Sequence, residues 1–142
     1  MIRAVLDTNT LVSAVINIES SVAQEIYQSF ISKRFLLIVS PSLLAELEDV
    51  LNRDRVIELH KHTAESLQKI TNELANLSYI VPGKIEIKLV RDPDDDKIIA
   101  AAVEGNVDYI VSRDKDLLDL KKCRGIKIIT PERFMGILRA EN

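Results

Sequence analysis

The amino-acid sequence predicts an α/β fold in which a central parallel sheet of about five strands lies between two layers of helices. Three short apolar runs, at Arg3–Leu6, 35–39 and Tyr109–Val111, do not alternate with polar residues. Unbroken apolar runs are typical of strands that are covered on both faces, as in a parallel sheet. Stretches with helical periodicity lie between these runs, and the alternation of strands and helices indicates an α/β architecture.

The helices are predicted from apolar residues that recur every three or four positions and from signals at their ends. Ser40 and Pro41 end the second strand, and Ser42 is a candidate cap for the helix that follows. Asp92 and Pro93 open a later helix. The predicted helices are Ser21–Ile31, 42–51, Ala64–Leu77, 94–103 and 131–138.

Residues 53–76 contain two helical patterns in succession with no strand between them. A connection of this kind predicts a helical hairpin, the helical counterpart of a β-hairpin. We expect this hairpin to stand out from the sheet and to serve either as a lid or in association with another chain.

Composition and charge limit the classes of protein to which the chain can belong. A length of 142 residues fits one domain, 1–142, and hydrophobic and charged fractions of 46% and 29% are ordinary for a globular protein. The single cysteine, Cys123, cannot form an internal disulfide. No apolar stretch is long enough to cross a membrane and no basic-then-apolar leader is evident, so we expect a cytoplasmic protein without a membrane association. The net charge of −3 argues mildly against a broad basic surface for nucleic acid.

Acidic side chains follow the predicted strands at the points where these strands end. In the stretch VLDTNT, Asp7 directly follows the first strand, and Asp114 comes shortly after the strand Tyr109–Val111. A third group of acids opens the helix near Asp94. Ligands of open parallel sheets bind at the carboxyl ends of the strands, so these acids are candidates for one site. Two of the acidic stretches also have a structural explanation. Asp7 is a favoured helix cap, and so is Asp92 at the start of the third group.

Helical geometry indicates which acid of RDPDDDK faces the core. At about 100° per residue, Asp95 lies in line with the apolar residues of its helix, whereas Asp96 lies on the flank of that face. Asp95 is therefore expected to point along the buried side of the helix toward the strand ends. In the helix 42–51, Glu46 and Glu48 flank the apolar stripe on opposite sides, and periodicity does not decide between a site residue and a solvated glutamate.

These motifs resemble those of the PIN-domain family, and within it the VapC-like ribonucleases that act as toxins of toxin–antitoxin systems. The matching stretches are VLDTNTLVSA, SPSLLAELEDVL, RDPDDDKIIAAAVEGNVDYIVSRDKDLL and IITPERFM. They follow one another from one end of the chain to the other and leave mainly the helical hairpin unmatched. The resemblance implies a three-layer α/β/α PIN-like domain and a Mg²⁺- or Mn²⁺-dependent ribonuclease that cleaves single-stranded RNA.

The resemblance also implies roles for individual residues. Magnesium prefers oxygen ligands, so one acid from each motif is expected at the metal. Asp95 fits the Asp-Pro-x-Asp opening of the family's third motif, and Asp96 fits the spacing of shorter relatives. Asp116 is expected to support the metal from further out. Arg113 and Lys115 lie on either side of Asp114 in the sequence, so we expect them to contact substrate phosphate. The four catalytic and metal-binding acids are Asp7, Glu46, Asp95 and Asp114, and the small polar residues that support them are Thr8, Asn9 and Ser112.

The same resemblance implies an RNA substrate, a homodimer and an antitoxin protein as partners. Two other functions compete with this one. A magnesium-dependent phosphatase of the haloacid dehalogenase type needs a second acid two residues after the first, and this chain has Asn9 there. A PIN scaffold that only binds RNA or a protein remains the alternative without catalysis. We expect His60 and His62 to be surface residues, because a spacing of two does not place both on one helix face.

Overall fold

The structure, a computed structural model, describes residues 1–16, 21–60, 63–88 and 93–141. Strands and helices alternate along much of the chain, and eight helices and six strands are found among the described residues. The strands are β1 (Arg3–Leu6), β2 (Leu36–Val39), β3 (Tyr79–Ile80), β4 (Tyr109–Val111), β5 (Lys122–Cys123) and β6 (Ile126–Ile129). The helices are α1 (Thr8–Ile16), α2 (Ser21–Ile31), α3 (Pro41–Leu51), α4 (Asp54–His60), α5 (Ala64–Leu77), α6 (Pro93–Glu104), α7 (Lys115–Leu120) and α8 (Pro131–Ala140).

The six strands form one sheet in the order β3-β2-β1-β4-β6-β5. Five of them are parallel to their neighbours, and only the short edge strand β5 runs antiparallel, against β6. The predicted α/β fold is therefore confirmed, with six strands where about five were predicted and with one antiparallel strand at the edge of the otherwise parallel sheet. The parallel arrangement places the carboxyl ends of β1, β4 and β6 at one edge of the sheet.

Apolar side chains pack against both faces of the sheet, as the unbroken apolar runs predict. Successive residues of a strand point to opposite faces, so Ala4 and Leu6 belong to one core cluster and Val5 to the other. The first cluster also takes in apolar residues of α1, α2 and α8, and the second those of α6 and α7. Helices on both faces hold the strand ends rigidly, which is the scaffold that a site at this edge needs.

Helix α6 approaches the sheet closely at its carboxyl-terminal end. A Cβ atom added to Gly105 would lie 2.5 Å from Cγ2 of Ile38 in β2. Glycine is therefore required for this approach, since even alanine would force the strand and the helix apart. The close contact brings the other end of α6, with Asp95, to the edge where the strands terminate.

Several local features differ from the sequence predictions. Helix α7 was not predicted, because its six residues are too few for a periodic signal, whereas α1 is the first short helix that a cap at Asp7 predicts. The cap of α3 is Ser40, whose hydroxyl accepts a hydrogen bond from the N–H of Leu43, and not Ser42. Pro41 then occupies the first turn, where a missing N–H costs nothing. The predicted cap Asp92 lies outside the described residues.

The helical hairpin is formed by α4 and α5, but it does not stand out from the sheet. Val56 of α4 and Leu74 of α5 belong to the same core cluster as β1 and β2. Helix α5 contacts α3 and the edge strand β3. The prediction of a projecting hairpin is wrong, because these apolar side chains are buried against the domain. Within the described part of the chain, none of the helices combines the length and the apolar character that a membrane span requires.

Candidate metal centre

Backbone hydrogen bonds align the ends of three strands at the edge where the acids lie. The N–H of Asp7 donates to the carbonyl of Val111 at 3.0 Å, which ties the end of β1 to the end of β4. The N–H of Ser112 donates to the carbonyl of Ile129, also at 3.0 Å, which ties β4 to β6. The residues that follow these strands therefore start from fixed positions, and their side chains meet across the edge.

Asp7 is buried and its carboxylate is held by two donors. The N–H of Thr10 donates to Oδ1 at 2.8 Å, so Asp7 caps α1, as one of the two explanations of this residue predicts. The hydroxyl of Ser112 donates to Oδ2. A carboxylate can accept about four hydrogen bonds or metal contacts, so these two donors orient Asp7 without exhausting its oxygens.

Ser112 connects Asp7 to the next acid along the chain. Its side chain is fully buried, and its hydroxyl accepts a hydrogen bond from the N–H of Asp114 at 2.9 Å while it donates to Asp7. Asp114 in turn caps α7, because its Oδ1 accepts a hydrogen bond from the N–H of Asp116 at 2.9 Å. One hydroxyl thus fixes the distance between the turn after β1 and the turn after β4.

Three carboxylates form the group with metal-binding geometry among the described residues. Asp95, Asp114 and Asp116 each place one oxygen within 4.8 Å of the other two. Asp95 is 5% exposed and lies on the buried face of α6, in line with its helical position. Asp96 is half-buried on the flank and is not part of the group. Three carboxylate oxygens suit a hard cation such as Mg²⁺ or Mn²⁺, which prefers oxygen ligands.

The remaining predicted acids differ in their surroundings. Neither Asp7 nor Glu46 is a member of this group. Asp7 is linked to Asp114 through the hydrogen bonds of the Ser112 hydroxyl, and Glu46 lies on α3. Glu46 is half-buried and one of its carboxylate oxygens is inaccessible to solvent, while Glu48 is exposed. Of the two glutamates that periodicity left open, Glu46 is the one that turns toward the protein interior.

The small polar residues after Asp7 have distinct environments. Thr8 is buried, and its hydroxyl has no hydrogen-bond partner within the described part of the chain. Asn9 is exposed and lines a cavity of about 170 Å³ together with Thr10, Ser13 and Arg113. Thr8 therefore follows Asp7 as a buried residue whose hydroxyl is unpaired among the described residues, and Asn9 lies on the surface.

Arg113 is engaged by a carboxylate that the sequence reasoning missed. Its guanidinium donates two hydrogen bonds to Glu132 on α8, one of them 2.8 Å long. These hydrogen bonds lower the pKa of Glu132, so its carboxylate stays charged opposite Arg113 in mildly acidic solution. The rule that strand ends share one edge would have pointed to Glu132, because it follows β6. Lys115, the other predicted phosphate contact, is exposed.

Cys123 does not belong to the group of carboxylates found among the described residues. Cys123 is half-buried against the core cluster that contains α6 and α7. His62 and the side chain of His60 lie outside the described parts of the chain, so their predicted surface position stays a prediction.

The three carboxylates at the strand ends define this chain as an α/β protein with a candidate acidic metal centre. Comparison with known proteins identifies its family. Residues 3–116 match the family described as PIN domain, and the chain belongs to this family. An uncharacterized protein of Methanocaldococcus jannaschii is 28% identical over 142 residues, which cover 94% of this chain and 90% of that protein.

The fold is also similar to a solved structure. The crystal structure of VapBC2 from Rickettsia felis, bound to a DNA fragment from their promoter, superposes with a TM-score of 0.60. The match covers 91% of this chain and 98% of that chain at 16% sequence identity. At this identity the likeness shows the shared fold.

Replacing Ser112 by alanine should loosen the candidate metal centre. The variant leaves the N–H of Asp114 and one oxygen of Asp7 without their shared partner, which should cost about 1–3 kcal/mol of stability. Apparent Mn²⁺ affinity should fall about 10- to 100-fold, because groups that orient metal ligands have effects of this size. Thermal melting and Mn²⁺ titration measure the two effects, with the exposed Ser32→Ala as the control. Unchanged Mn²⁺ affinity in Ser112→Ala would show that the hydroxyl does not organise the acids.

Proposed function

We propose that the chain is a metal-dependent endoribonuclease that hydrolyses phosphodiester bonds of single-stranded RNA. The observation that carries this proposal is the group of three carboxylates, Asp95, Asp114 and Asp116, at the carboxyl edge of the sheet. Membership of the PIN domain family supports it, since the family's motifs imply this chemistry. Cleavage is expected to leave a 5′-phosphate and a 3′-hydroxyl.

The donor set fits Mg²⁺ or Mn²⁺. Three carboxylate oxygens within 4.8 Å of one another offer hard ligands of high negative charge, and histidine or cysteine is not part of the group. When bound, such an ion activates a water molecule and neutralises charge on the scissile phosphate. Asp95, Asp114 and Asp116 would hold it, with Asp7 and Glu46 as the further acids of the site.

The other residues of the site would position these acids and leave room for the substrate. Thr10 and Ser112 hold the carboxylate of Asp7 through hydrogen bonds. Arg113 is already paired with Glu132, so a substrate phosphate would have to compete with this carboxylate for the guanidinium.

The proposal is tested by cleavage of labelled RNA with purified protein and Mn²⁺. Asp7→Asn keeps an oxygen that can accept the N–H of Thr10 but removes one negative charge, so the variant should remain folded and lose cleavage. Without metal it should melt within a few degrees of the wild type, because the reduced repulsion among the acids offsets the lost acceptor of the Ser112 hydroxyl. Mn²⁺ at about 100 times its Kd should raise the melting temperature of the wild type by roughly 8 °C.

Chelator is the second control in this assay. Cleavage that survives in Asp7→Asn would come from a contaminating nuclease. RNA that stays intact across several sequences and with both metals would contradict the enzymatic function, and the protein would then be a PIN scaffold that binds RNA or another protein.

We further propose that the chain is the toxin of a toxin–antitoxin pair and forms a homodimer in the cytoplasm. The similarity of its fold to VapBC2 of Rickettsia felis supports the first part. Exposed apolar side chains such as Ile57 and Leu77 offer contact surface for a second copy. Sedimentation at micromolar concentration should give twice the mass of 16.0 kDa, and a monomer would contradict the dimer. Inspection of the neighbouring gene is the simplest way to search for the antitoxin.

A further inference from the structure

We propose a second RNA-binding surface, separate from the acids, on the hairpin formed by β5 and β6. The segment 121–127, with the sequence KKCRGIK, carries four basic residues and no acid. We call it the basic hairpin. This inference rests on the proposed function, because it assigns to the basic hairpin the phosphate backbone of the same single-stranded RNA.

The charges of the basic hairpin are not neutralised by the protein. Lys121, Lys122, Arg124 and Lys127 are all exposed, and none of them forms an ion pair with a carboxylate within the described residues. The chain as a whole has a net charge of −3, so this segment is a local exception to an acidic protein. A local excess of unpaired cations is typical of a surface that binds a polyanion such as nucleic acid.

The strand pairing places two of these cations directly opposite each other. Lys122 of β5 is the cross-strand partner of Lys127 of β6. Like charges in this position destabilise a sheet. An anion bound between the two ammonium groups would remove the repulsion, and a phosphodiester carries the required negative charge without any titration near neutral pH.

An aromatic ring continues the same row across the sheet. Lys127 is also the cross-strand partner of Tyr109 in β4, so the two lysines and the tyrosine lie side by side on one face. Tyr109 is half-buried, and together with Lys127 and Arg124 it lines a cavity of about 480 Å³. Cations beside an aromatic wall are the combination that binds single-stranded nucleic acid, with phosphates on the cations and bases against the ring.

The cavity also contains one acid, which is engaged elsewhere. Asp108 accepts a hydrogen bond from the backbone N–H of Arg3 at 2.9 Å. Asp108 forms no ion pair with the basic hairpin within the described residues. Asn106 also lines the cavity, and its side chain is of a type that can hydrogen-bond a base.

The basic hairpin lies within reach of the candidate metal centre. Helix α7 begins after Asp114 and leads directly to Lys121. Six residues of helix span roughly 9 Å at 1.5 Å per residue. The turn of the basic hairpin at Arg124 precedes β6 and therefore lies at the opposite edge of the sheet from the acids. An RNA strand of several nucleotides would contact the acids with one phosphate and continue along the sheet to the basic hairpin with others.

The test is binding of a fluorescein-labelled 12-nucleotide oligouridine in the presence of chelator, where cleavage does not occur. The variant Lys122→Gln/Arg124→Gln/Lys127→Gln removes three cations of the basic hairpin. The control Lys33→Gln/Lys69→Gln/Lys84→Gln removes three exposed cations elsewhere, and the two variants have the same net charge. Both also change one residue with a positive φ, Arg124 and Lys33, so backbone effects are matched.

We expect the hairpin variant to bind the oligonucleotide at least about tenfold more weakly at 50 mM salt, and the control to bind like the wild type. The slope of log K against log salt should become shallower by about 2, because each phosphate contact on a single strand contributes about 0.7. The control variant should melt close to the wild type, and the hairpin variant at the same temperature or slightly above it, because the repulsion between Lys122 and Lys127 is removed. In Mn²⁺ the hairpin variant should cleave with a raised KM and an unchanged kcat.

Equal loss of affinity in the two variants would overturn the proposal, since it would show a response to net charge alone. Polyglutamate that binds as tightly as the RNA would also overturn it in favour of an acidic protein partner. Failure of the proposed nuclease activity is distinguishable, because a wild type that binds RNA through the hairpin in chelator and never cleaves it contradicts only the enzymatic function.

Discussion

Asp95→Asn is expected to reduce the rate of RNA cleavage by at least about 100-fold, whereas Asp96→Asn is expected to change it less than about tenfold. Removing a group that only orients a metal ligand has effects of 10- to 100-fold, and removing a ligand should exceed them. Asp95 is buried and lies within 4.8 Å of Asp114 and Asp116 through its carboxylate. Asp96 is half-buried one position further along the helix and outside the group.

The two variants are a matched pair. Both replace a carboxylate by an amide of the same shape in the first turn of α6, and both lose a similar interaction with the helix dipole, about 0.3–1 kcal/mol. The loss of this interaction should therefore be similar in the two variants. Because Asp95 is buried among carboxylates and Asp96 is half-buried, the unfolding of both variants without metal is measured as well. Single-turnover cleavage measures the difference in rate between the two variants, and Mn²⁺ titration measures the difference in metal affinity. Asp95→Asn should show the weaker Mn²⁺ binding. An Asp96→Asn variant that loses as much activity as Asp95→Asn would show that the third acid is wrongly assigned.

Phe134→Ala is expected to lower the free energy of unfolding by about 3–5 kcal/mol, the usual cost of removing a buried phenylalanine. The side chain of Phe134 on α8 is fully buried. Its ring meets the edge of Phe35 with centroids 5.0 Å apart and Tyr109 with centroids 6.2 Å apart. Alanine would leave a cavity between α8 and the strands β2 and β4, and these rings cannot collapse to fill it.

Thermal and urea unfolding measure this effect, and the melting temperature should fall by roughly 10–15 °C. The neighbouring Arg133 is exposed on the same helix, and Arg133→Ala should change stability by less than about 0.5 kcal/mol. A fall of only a few degrees in Phe134→Ala would mean that α8 contributes little to the core. The variant should still bind Mn²⁺ well below its melting temperature, because Phe134 does not contact the acids.

Much of the fold follows from local patterns in the sequence. The unbroken run of β1 and the turn at Asp7 follow from residue types alone, since β-branched and leucine residues suit a strand that is covered on both faces. The bounds of α2 and α5 agree with the periodicity of their apolar residues. The short helix α7 has only six residues, too few for a periodic signal, and the sequence therefore did not indicate it.

The candidate site also follows in part from the sequence and in part from the tertiary structure. The inward direction of Asp95 follows from the 3.6-residue period of α6, and the common edge of Asp7 and Asp114 follows from the geometry of parallel strands. The catalytic roles of these residues stay predictions. The sequence does not indicate that Asp116 lies beside Asp95, because this contact depends on how α7 packs against α6.

By itself the sequence determined the kind of structure: an α/β domain whose acids follow the strands, with a core of aliphatic residues on both faces of the sheet. Only the tertiary structure decided the strand order, the bond from Ser112 to Asp7 and the pairing of Arg113 with Glu132. The physical reason is the range of the interactions. Periodicity and caps act within a few residues, whereas Ser112 lies 105 positions from Asp7 and meets it only because β4 pairs with β1.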